Sequence, residues 1–152
     1  MISSPLKRAD ETAKIISKYY NSEYIIDNRL IEFHTGILEG KSDDNSWNQL
    51  FKLWNKWITD DQASNESLPG GESRDDVVRR LDHFFKDLIA DNNENDIIFC
   101  ISHGGVIITG IPNVPIIKNT ENLKHYDLKN TDIVEILYTK NEGFICKNYG
   151  PA

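Results

Sequence analysis

The feature that most constrains the fold is an apolar run that ends in a glycine turn. Residues 97–101 (Ile-Ile-Phe-Cys-Ile) are all apolar, and Ser-His-Gly-Gly follows them directly at 102–105. A run without polar alternation predicts a strand buried on both faces, as in a parallel sheet. The paired glycines let the chain turn sharply, so that a helix can begin near Val106. His103 is therefore expected at the carboxyl end of a central strand.

That position has a chemical meaning. Open α/β sheets bind ligands at the carboxyl ends of their strands, and a helix N-terminus offers free N–H donors to anions. His103 is thus predicted to stand beside an anion site. The simpler alternative, that His103 only caps a helix at a turn, remains open at this point.

Length and charge limit the class of protein. The 152 residues suit one domain, 1–152, with a core of its own. The formal net charge of −7 argues against a nucleic-acid or anionic-membrane surface, because phosphate groups would be repelled. A site for a phosphorylated ligand would have to be a local basic pocket.

The spacing of the cysteines and the lack of a recognisable signal peptide or membrane helix predict a cytoplasmic protein. Cys100 and Cys146 lie far apart and form no disulfide framework. No apolar run approaches the roughly 18 residues of a membrane helix, and the N-terminus lacks the apolar segment of a signal peptide. We therefore expect a cytoplasmic protein that does not enter a membrane.

The N-terminal segment predicts a helix with one unusual residue. Ser4 suits an N-cap and Pro5 the first helical position. An apolar stripe follows at helical spacing: Leu6, Ala9, Ala13, Ile16 and Tyr20. Arg8 falls in the first turn, where a cation opposes the helix dipole unless it faces an anion. A solvated arginine is the alternative to a binding residue.

The rest of the chain alternates short strands, loops and helices. Residues 24–26 predict a short strand, and 29–40 a structured loop that does not match a phosphate-binding P-loop, because only three residues separate Gly36 from Gly40. Ser46 is the expected cap of a helix in which three tryptophans pack. Ser73 and Asp76 have capping-box spacing before the clearest helix of the chain. Residues 133–138 and 144–146 predict a terminal β-hairpin.

Four of these segments, in this order, resemble the histidine phosphatase superfamily, also called phosphoglycerate mutase-like. They are residues 3–13 (Ser-Ser-Pro-Leu-Lys-Arg-Ala-Asp-Glu-Thr-Ala), Leu30-x-Glu32 with Gly36 and Glu39-Gly40, Pro-Gly-Gly-Glu-Ser at 69–73, and Ser-His-Gly-Gly at 102–105. The resemblance implies an α/β fold, a three-layer sandwich with a mostly parallel central sheet and helices on both faces.

The resemblance also implies roles for individual residues. Arg8 corresponds to the arginine that clamps the phosphate, and His103, with Gly104 beside it, to the histidine that binds the phosphoryl group. Glu32 corresponds to the acid that protonates the leaving oxygen, for which its pKa must be raised. A loop carboxylate capping a backbone N–H is the alternative for Glu32. No metal or cofactor is implied.

One departure from the family pattern limits which activity the resemblance implies for this chain. The family's nucleophile is a histidine in an Arg-His-Gly motif ahead of the Ser-Pro-Leu segment, and this triplet does not occur here. His34, His83 and His125 are more simply surface or packing residues. The chain therefore lacks the first strand and helix of the family fold. We expect the strands beside the gap to expose their edges, so that the chain alone dimerises, aggregates or recruits a complementing segment.

Three functions follow from this reading. The first is a phosphomonoester hydrolase that acts through a phosphohistidine when the N-terminal nucleophile segment is present. The second is an inactive pseudophosphatase that binds phosphate or a phosphorylated small molecule, and the third is an interaction or structural protein without a ligand. Whether the 152-residue chain is itself an enzyme stays open.

Overall fold

The computed structural model describes residues 1–151 and contains four α-helices and six β-strands in that range. The helices are α1 (Lys7–Tyr20), α2 (Asp44–Thr59), α3 (Arg74–Asp91) and α4 (Gly104–Gly110). The strands are β1 (Ile2–Ser3), β2 (Ile25–Ile26), β3 (Cys100–Ile101), β4 (Ile117–Lys118), β5 (Ile133–Thr139) and β6 (Gly143–Gly150).

The strands form two separate sheets. In the first, the order is β2-β1-β3 and all pairs are parallel, with Ser3 in register with both Ile26 and Ile101. In the second, the order is β4-β6-β5, and β5 and β6 form the predicted antiparallel hairpin. The α/β class with a parallel sheet is confirmed, although the strands divide between two sheets where a single central sheet was expected.

The apolar run at 97–101 differs most from its prediction. Only Cys100 and Ile101 pair, and they pair only with β1. Ile97 is 94% exposed and Phe99 is 46% exposed. The expectation of a strand buried on both faces is wrong for this segment, because β3 is an edge strand and no second strand covers its outer side within residues 1–151.

Two helix starts also differ from their predictions. Helix α1 begins at Lys7 with Leu6 as its N-cap, so Ser4 and Pro5 lie outside it. The Ser4 hydroxyl instead accepts a 3.3 Å hydrogen bond from the Leu6 N–H within the turn before the helix. At α2 the cap is Asp43, which accepts from the Ser46 N–H at 3.0 Å. An aspartate three residues before the predicted serine thus caps α2, and the N-cap of α1 has no side-chain hydrogen bond.

The core forms where α2, α3, α4 and β6 meet. Helix α3 has the predicted capping box at Ser73 and Asp76, and it buries Val77, Leu81, Phe84 and Phe85. Trp57 of α2 is buried as expected, whereas Trp47 remains about half exposed. The ring of Phe144 on β6 lies 5.1 Å from that of Phe85, which joins the second sheet to α3. Among residues 1–151, no helix has the length and apolar character needed to cross a bilayer.

Candidate functional site

Arg8 and His103 meet at the carboxyl ends of the strands of the first sheet. The Arg8 Nε donates a 3.1 Å hydrogen bond to Nδ1 of His103, across a separation of 95 residues in the chain. On the other side of the ring, Nε2 of His103 lies 2.7 Å from the hydroxyl oxygen of Ser4. His103 is only 6% exposed and Ser4 is fully buried, whereas Arg8 is exposed. The imidazole is therefore held between Ser4 and Arg8, and the surface around these three side chains is called the Arg8–His103 pocket below.

The parallel pairing of β1 and β3 explains this arrangement. The Ser4 N–H donates to the Ile101 carbonyl at 2.9 Å, which extends the register of the two strands by one residue. Because the strands are parallel, their carboxyl ends lie at the same edge of the sheet. Ser4 follows one strand, His103 follows the other, and Arg8 lies in the first turn of the helix after Ser4.

The surroundings of His103 favour the neutral imidazole. Burial, together with the positive charges of Arg8 and Arg80, lowers the pKa of His103 to about 4. A neutral ring has one accepting and one donating nitrogen. Because Nδ1 accepts from Arg8, the proton belongs on Nε2, which donates to the Ser4 hydroxyl.

Glu32 reaches the same region from the loop after β2. Its Oε1 accepts hydrogen bonds from the N–H groups of Phe33 (3.1 Å) and Val106 (3.0 Å), and its Oε2 accepts from Gly105 (3.3 Å). The N–H donors at the start of α4, which the sequence suggested for a bound anion, are thus occupied by a carboxylate of the chain itself. Glu32 does cap backbone N–H groups, as the alternative reading held.

The protonation of Glu32 is also displaced from its ordinary value. Burial raises the pKa of the Glu32 carboxyl, and this outweighs the opposite effects of the backbone N–H groups and of Arg8. A raised pKa favours the protonated acid, which is the form that donates a proton to a leaving oxygen near neutral pH. Capping and proton donation are therefore compatible in the same side chain.

The two glycines after His103 serve different ends. A Cβ on Gly105 would lie 2.6 Å from Cε1 of Phe33 and 2.7 Å from Oε1 of Glu32, so that only glycine lets Glu32 approach α4. A Cβ on Gly104 would meet no atom within 4 Å. Gly104 is exposed beside the pocket, and its part in phosphate binding stays a prediction.

The sequence predicts that Gly71, Glu72 and Ser73 line the pocket or cap the adjacent helix, but it does not predict the parts played by Ser4 and Arg80. The sequence predicts Ser4 as a helix cap, but its hydroxyl contacts His103. Glu72 and Arg80 form an ion pair of 2.9 Å next to the Glu32 loop. One signal was available for Arg80: it lies three residues after Val77 and four before Phe84, on the face of α3 that the apolar residues bury.

The other histidines lie elsewhere. The His34 Nδ1 lies 3.1 Å from both the Gly70 carbonyl oxygen and the Gly36 nitrogen, and His83 and His125 are exposed. Over residues 1–151, no group of three or more His, Cys, Asp or Glu side chains could hold a metal ion.

Comparison with known proteins identifies the family. The profile of the histidine phosphatase superfamily (branch 1) matches residues 1–149. The chain is 29% identical to the putative phosphoserine phosphatase 2 of Hydrogenobacter thermophilus, over 88% of this chain and 64% of the relative. It is 30% identical to the probable phosphoglycerate mutase GpmB of Erwinia tasmaniensis, over 76% of this chain and 54% of the relative. The chain thus spans less than two thirds of these relatives.

Solved structures support the same fold. A mycobacterial glucosyl-3-phosphoglycerate phosphatase, solved with inorganic phosphate, aligns with a TM-score of 0.73 and 23% identity, covering 97% of this chain and 73% of that one. The YhfR protein of Bacillus stearothermophilus aligns with a TM-score of 0.66 and 22% identity, covering 95% of this chain and 70% of that one. At these identities the likeness concerns the fold.

Proposed function

Because this chain belongs to the histidine phosphatase superfamily (branch 1), we propose that its pocket binds the phosphoryl group of a phosphomonoester. The observation that carries the proposal is the hydrogen bond between the Arg8 Nε and the His103 Nδ1. It places a planar fork of N–H donors and an imidazole at the same point, and guanidinium forks match phosphate oxygens in geometry and charge. Arg8 and His103 are the proposed phosphate ligands, with Gly104 beside them.

The proposed reaction is hydrolysis through a phosphohistidine. A histidine nitrogen attacks phosphorus, the ester P–O bond breaks, and Glu32 gives its proton to the leaving oxygen. Water then attacks the phosphohistidine and returns a proton to Glu32 as phosphate departs. Arg8 stabilises the charge on the equatorial oxygens throughout, and His103 joins it once its Nδ1 carries a proton. In this proposal an Arg-His-Gly segment outside the 152 residues supplies the attacking histidine.

The names of the relatives suggest a substrate class. The two relatives above are named as a phosphoserine phosphatase and a phosphoglycerate mutase, and both names refer to phosphomonoesters of small molecules. A phosphorylated small molecule is therefore the proposed ligand.

Phosphate binding without turnover is the second candidate for the 152-residue chain. It is favoured by the position of the remaining histidines, since the ring of His34 contacts the backbone at Gly36 and Gly70 instead of the pocket. Such a chain would retain the Arg8–His103 pocket and act as a pseudophosphatase.

A paired assay separates these functions. Hydrolysis of 4-nitrophenyl phosphate is measured for the 152-residue chain and for a version extended by the Arg-His-Gly segment of a relative. We expect hydrolysis and an acid-labile phosphoenzyme only from the extended protein. Inorganic phosphate should raise the Tm of both, and Arg8→Ala should abolish that rise while the matched surface change Lys7→Ala keeps it.

Two other results would each contradict one part of the proposal. A phosphoenzyme formed by the 152-residue chain alone would contradict the external nucleophile. A Tm unchanged by phosphate in both proteins would contradict the pocket and favour an interaction protein without a ligand.

We also propose that the chain by itself forms a homodimer through the free edge of β3. An edge strand presents unpaired N–H and C=O groups to a second edge, and the exposed side chains of Ile97 and Phe99 add apolar surface beside it. Light scattering should show a dimer that Phe99→Lys converts to a monomer. A monomer in the unsubstituted chain at all accessible concentrations would refute this contact.

A further inference from the structure

A largely buried ion pair lies behind the Glu32 loop. The Arg80 Nε donates to Oε1 of Glu72 at 2.9 Å, and Nη2 of Arg80 donates to Oε2 at 3.3 Å. The two side chains are only 15% and 24% exposed. Two-point guanidinium–carboxylate pairs fix orientation as well as distance, and removing one partner of a buried pair leaves an uncompensated charge.

This ion pair holds the loop at both ends. At one end, Nη1 of Arg80 donates to the carbonyl oxygen of Arg29. At the other, Oε2 of Glu72 accepts from the His34 N–H at 2.9 Å, and the Glu72 N–H donates to the His34 carbonyl at 2.8 Å. Glu32 lies between the two attachment points. The pair therefore sets where the Glu32 backbone can be.

The same loop is attached to the segment that carries His103. The Ser102 hydroxyl donates to the Leu30 carbonyl at 2.9 Å, and the Glu32 carboxylate accepts from the N–H groups of Gly105 and Val106. A displacement of the loop would consequently move Glu32 relative to the first turn of α4 and to the imidazole just before it.

Arg80 also contributes charge to the pocket. The cations that bear on the His103 ring are Arg8 from α1 and Arg80 from α3, and both lower the pKa of His103. Glu32, from the loop, lies beside the same turn with its carboxylate on the N–H groups of α4. Arg80 makes no hydrogen bond to the ring, so its effect on His103 acts through space.

We propose that Arg80 is a positioning residue of this site, which acts through Glu72 to hold Glu32 against α4. This inference rests on the proposed function for its role in catalysis, but the geometry it describes can be tested alone. In this proposal Arg80 does not bind the phosphate. It positions Glu32, and its charge lowers the pKa of His103.

The test uses two local NMR readouts on the full chain, with no substrate. The first is hydrogen exchange at the Gly105 and Val106 amides, which the Glu32 carboxylate protects; the second is the pH titration of the His103 ring. Arg80→Gln should speed exchange at both amides by about tenfold or more and shift the His103 midpoint upward. Arg79→Gln, which removes an exposed positive charge one residue earlier on α3, should change neither.

Two further variants separate position from charge. Arg80→Lys keeps the charge but loses the two-point pairing, so exchange should stay fast while the His103 midpoint returns toward that of the unsubstituted chain. Glu72→Gln should also speed exchange at the two amides, and it serves if Arg80→Gln does not fold. Protected amides in a folded Arg80→Gln or Glu72→Gln variant would overturn the proposal.

The outcome is separable from that of the proposed function. If inorganic phosphate fails to raise the Tm of the unsubstituted chain, the phosphate pocket is refuted, whereas the amide and titration results still decide whether Arg80 positions Glu32. If phosphate binds and Arg80→Gln leaves both readouts unchanged, the positioning role is refuted and the pocket stands.

Discussion

The two sheets of this molecule are built in opposite ways. The strands of the first sheet have two paired residues each, all parallel, and one of its edges carries the exposed Ile97 and Phe99. The second sheet contains a long antiparallel hairpin, and its β6 buries Phe144 and Cys146. All the proposed site residues lie around the first sheet. The proposed chemistry is thus assigned to the sheet with the fewest backbone pairs, where side-chain contacts join Arg8, His103 and Ser4.

The difference should appear most strongly when the same substitution is made in both sheets. Phe144→Ala removes a ring that packs on Phe85 and Tyr138, and it should lower the free energy of unfolding by about 3–5 kcal/mol. Phe99→Ala, in the first sheet, removes a half-exposed ring and should cost less than about 1 kcal/mol. Urea denaturation measures both at a protein concentration low enough for the chain to be monomeric. Equal losses would contradict the view that the second sheet carries the core.

The first sheet should respond to pH through His103. Its pKa is about 4 in the folded chain, below its ordinary value, so the unfolded state takes up a proton first as the pH falls. Stability supplied by the neutral ring is complete above about pH 6.5 and is lost toward pH 4, by at most about 3 kcal/mol. Unfolding free energies of the unsubstituted chain and of His103→Gln should converge over this interval. Parallel pH profiles would refute the buried neutral imidazole.

A smaller effect should separate the two glycines of the turn. Gly105→Ala places a methyl group against Phe33 and Glu32 and should destabilise the chain by about 1–3 kcal/mol. Gly104→Ala meets no atom within 4 Å and should be neutral or stabilising by up to about 1 kcal/mol. Thermal melting of the two variants gives the comparison, and a similar Tm for both would show that Glu32 does not approach α4 this closely.

The sequence predicted what depends on local pattern. The capping box at Ser73, the apolar face of α3 and the terminal hairpin follow from residue spacing, and the structure has them all. The exposure of 97–101 could not be predicted from the local sequence. An apolar run indicates that burial is favourable, but it does not indicate whether a neighbouring strand or helix covers the run. The importance of the Glu72–Arg80 pair could not be predicted for a related reason. The pair holds the Glu32 loop, whose His34 lies 38 residues from Glu72 in the chain.

The hydrogen bond between Arg8 and His103 has a consequence for which anions the pocket accepts. The Arg8 Nε has a partner in the lone pair of Nδ1. An anion that takes over the Arg8 Nε frees that lone pair, and the ring then regains its basicity beside negative charge and can take up a proton. A doubly charged oxyanion compensates for both changes, while chloride or acetate does so only in part. We therefore expect this contact to favour doubly charged oxyanions over singly charged anions, whatever organic group the oxyanion carries.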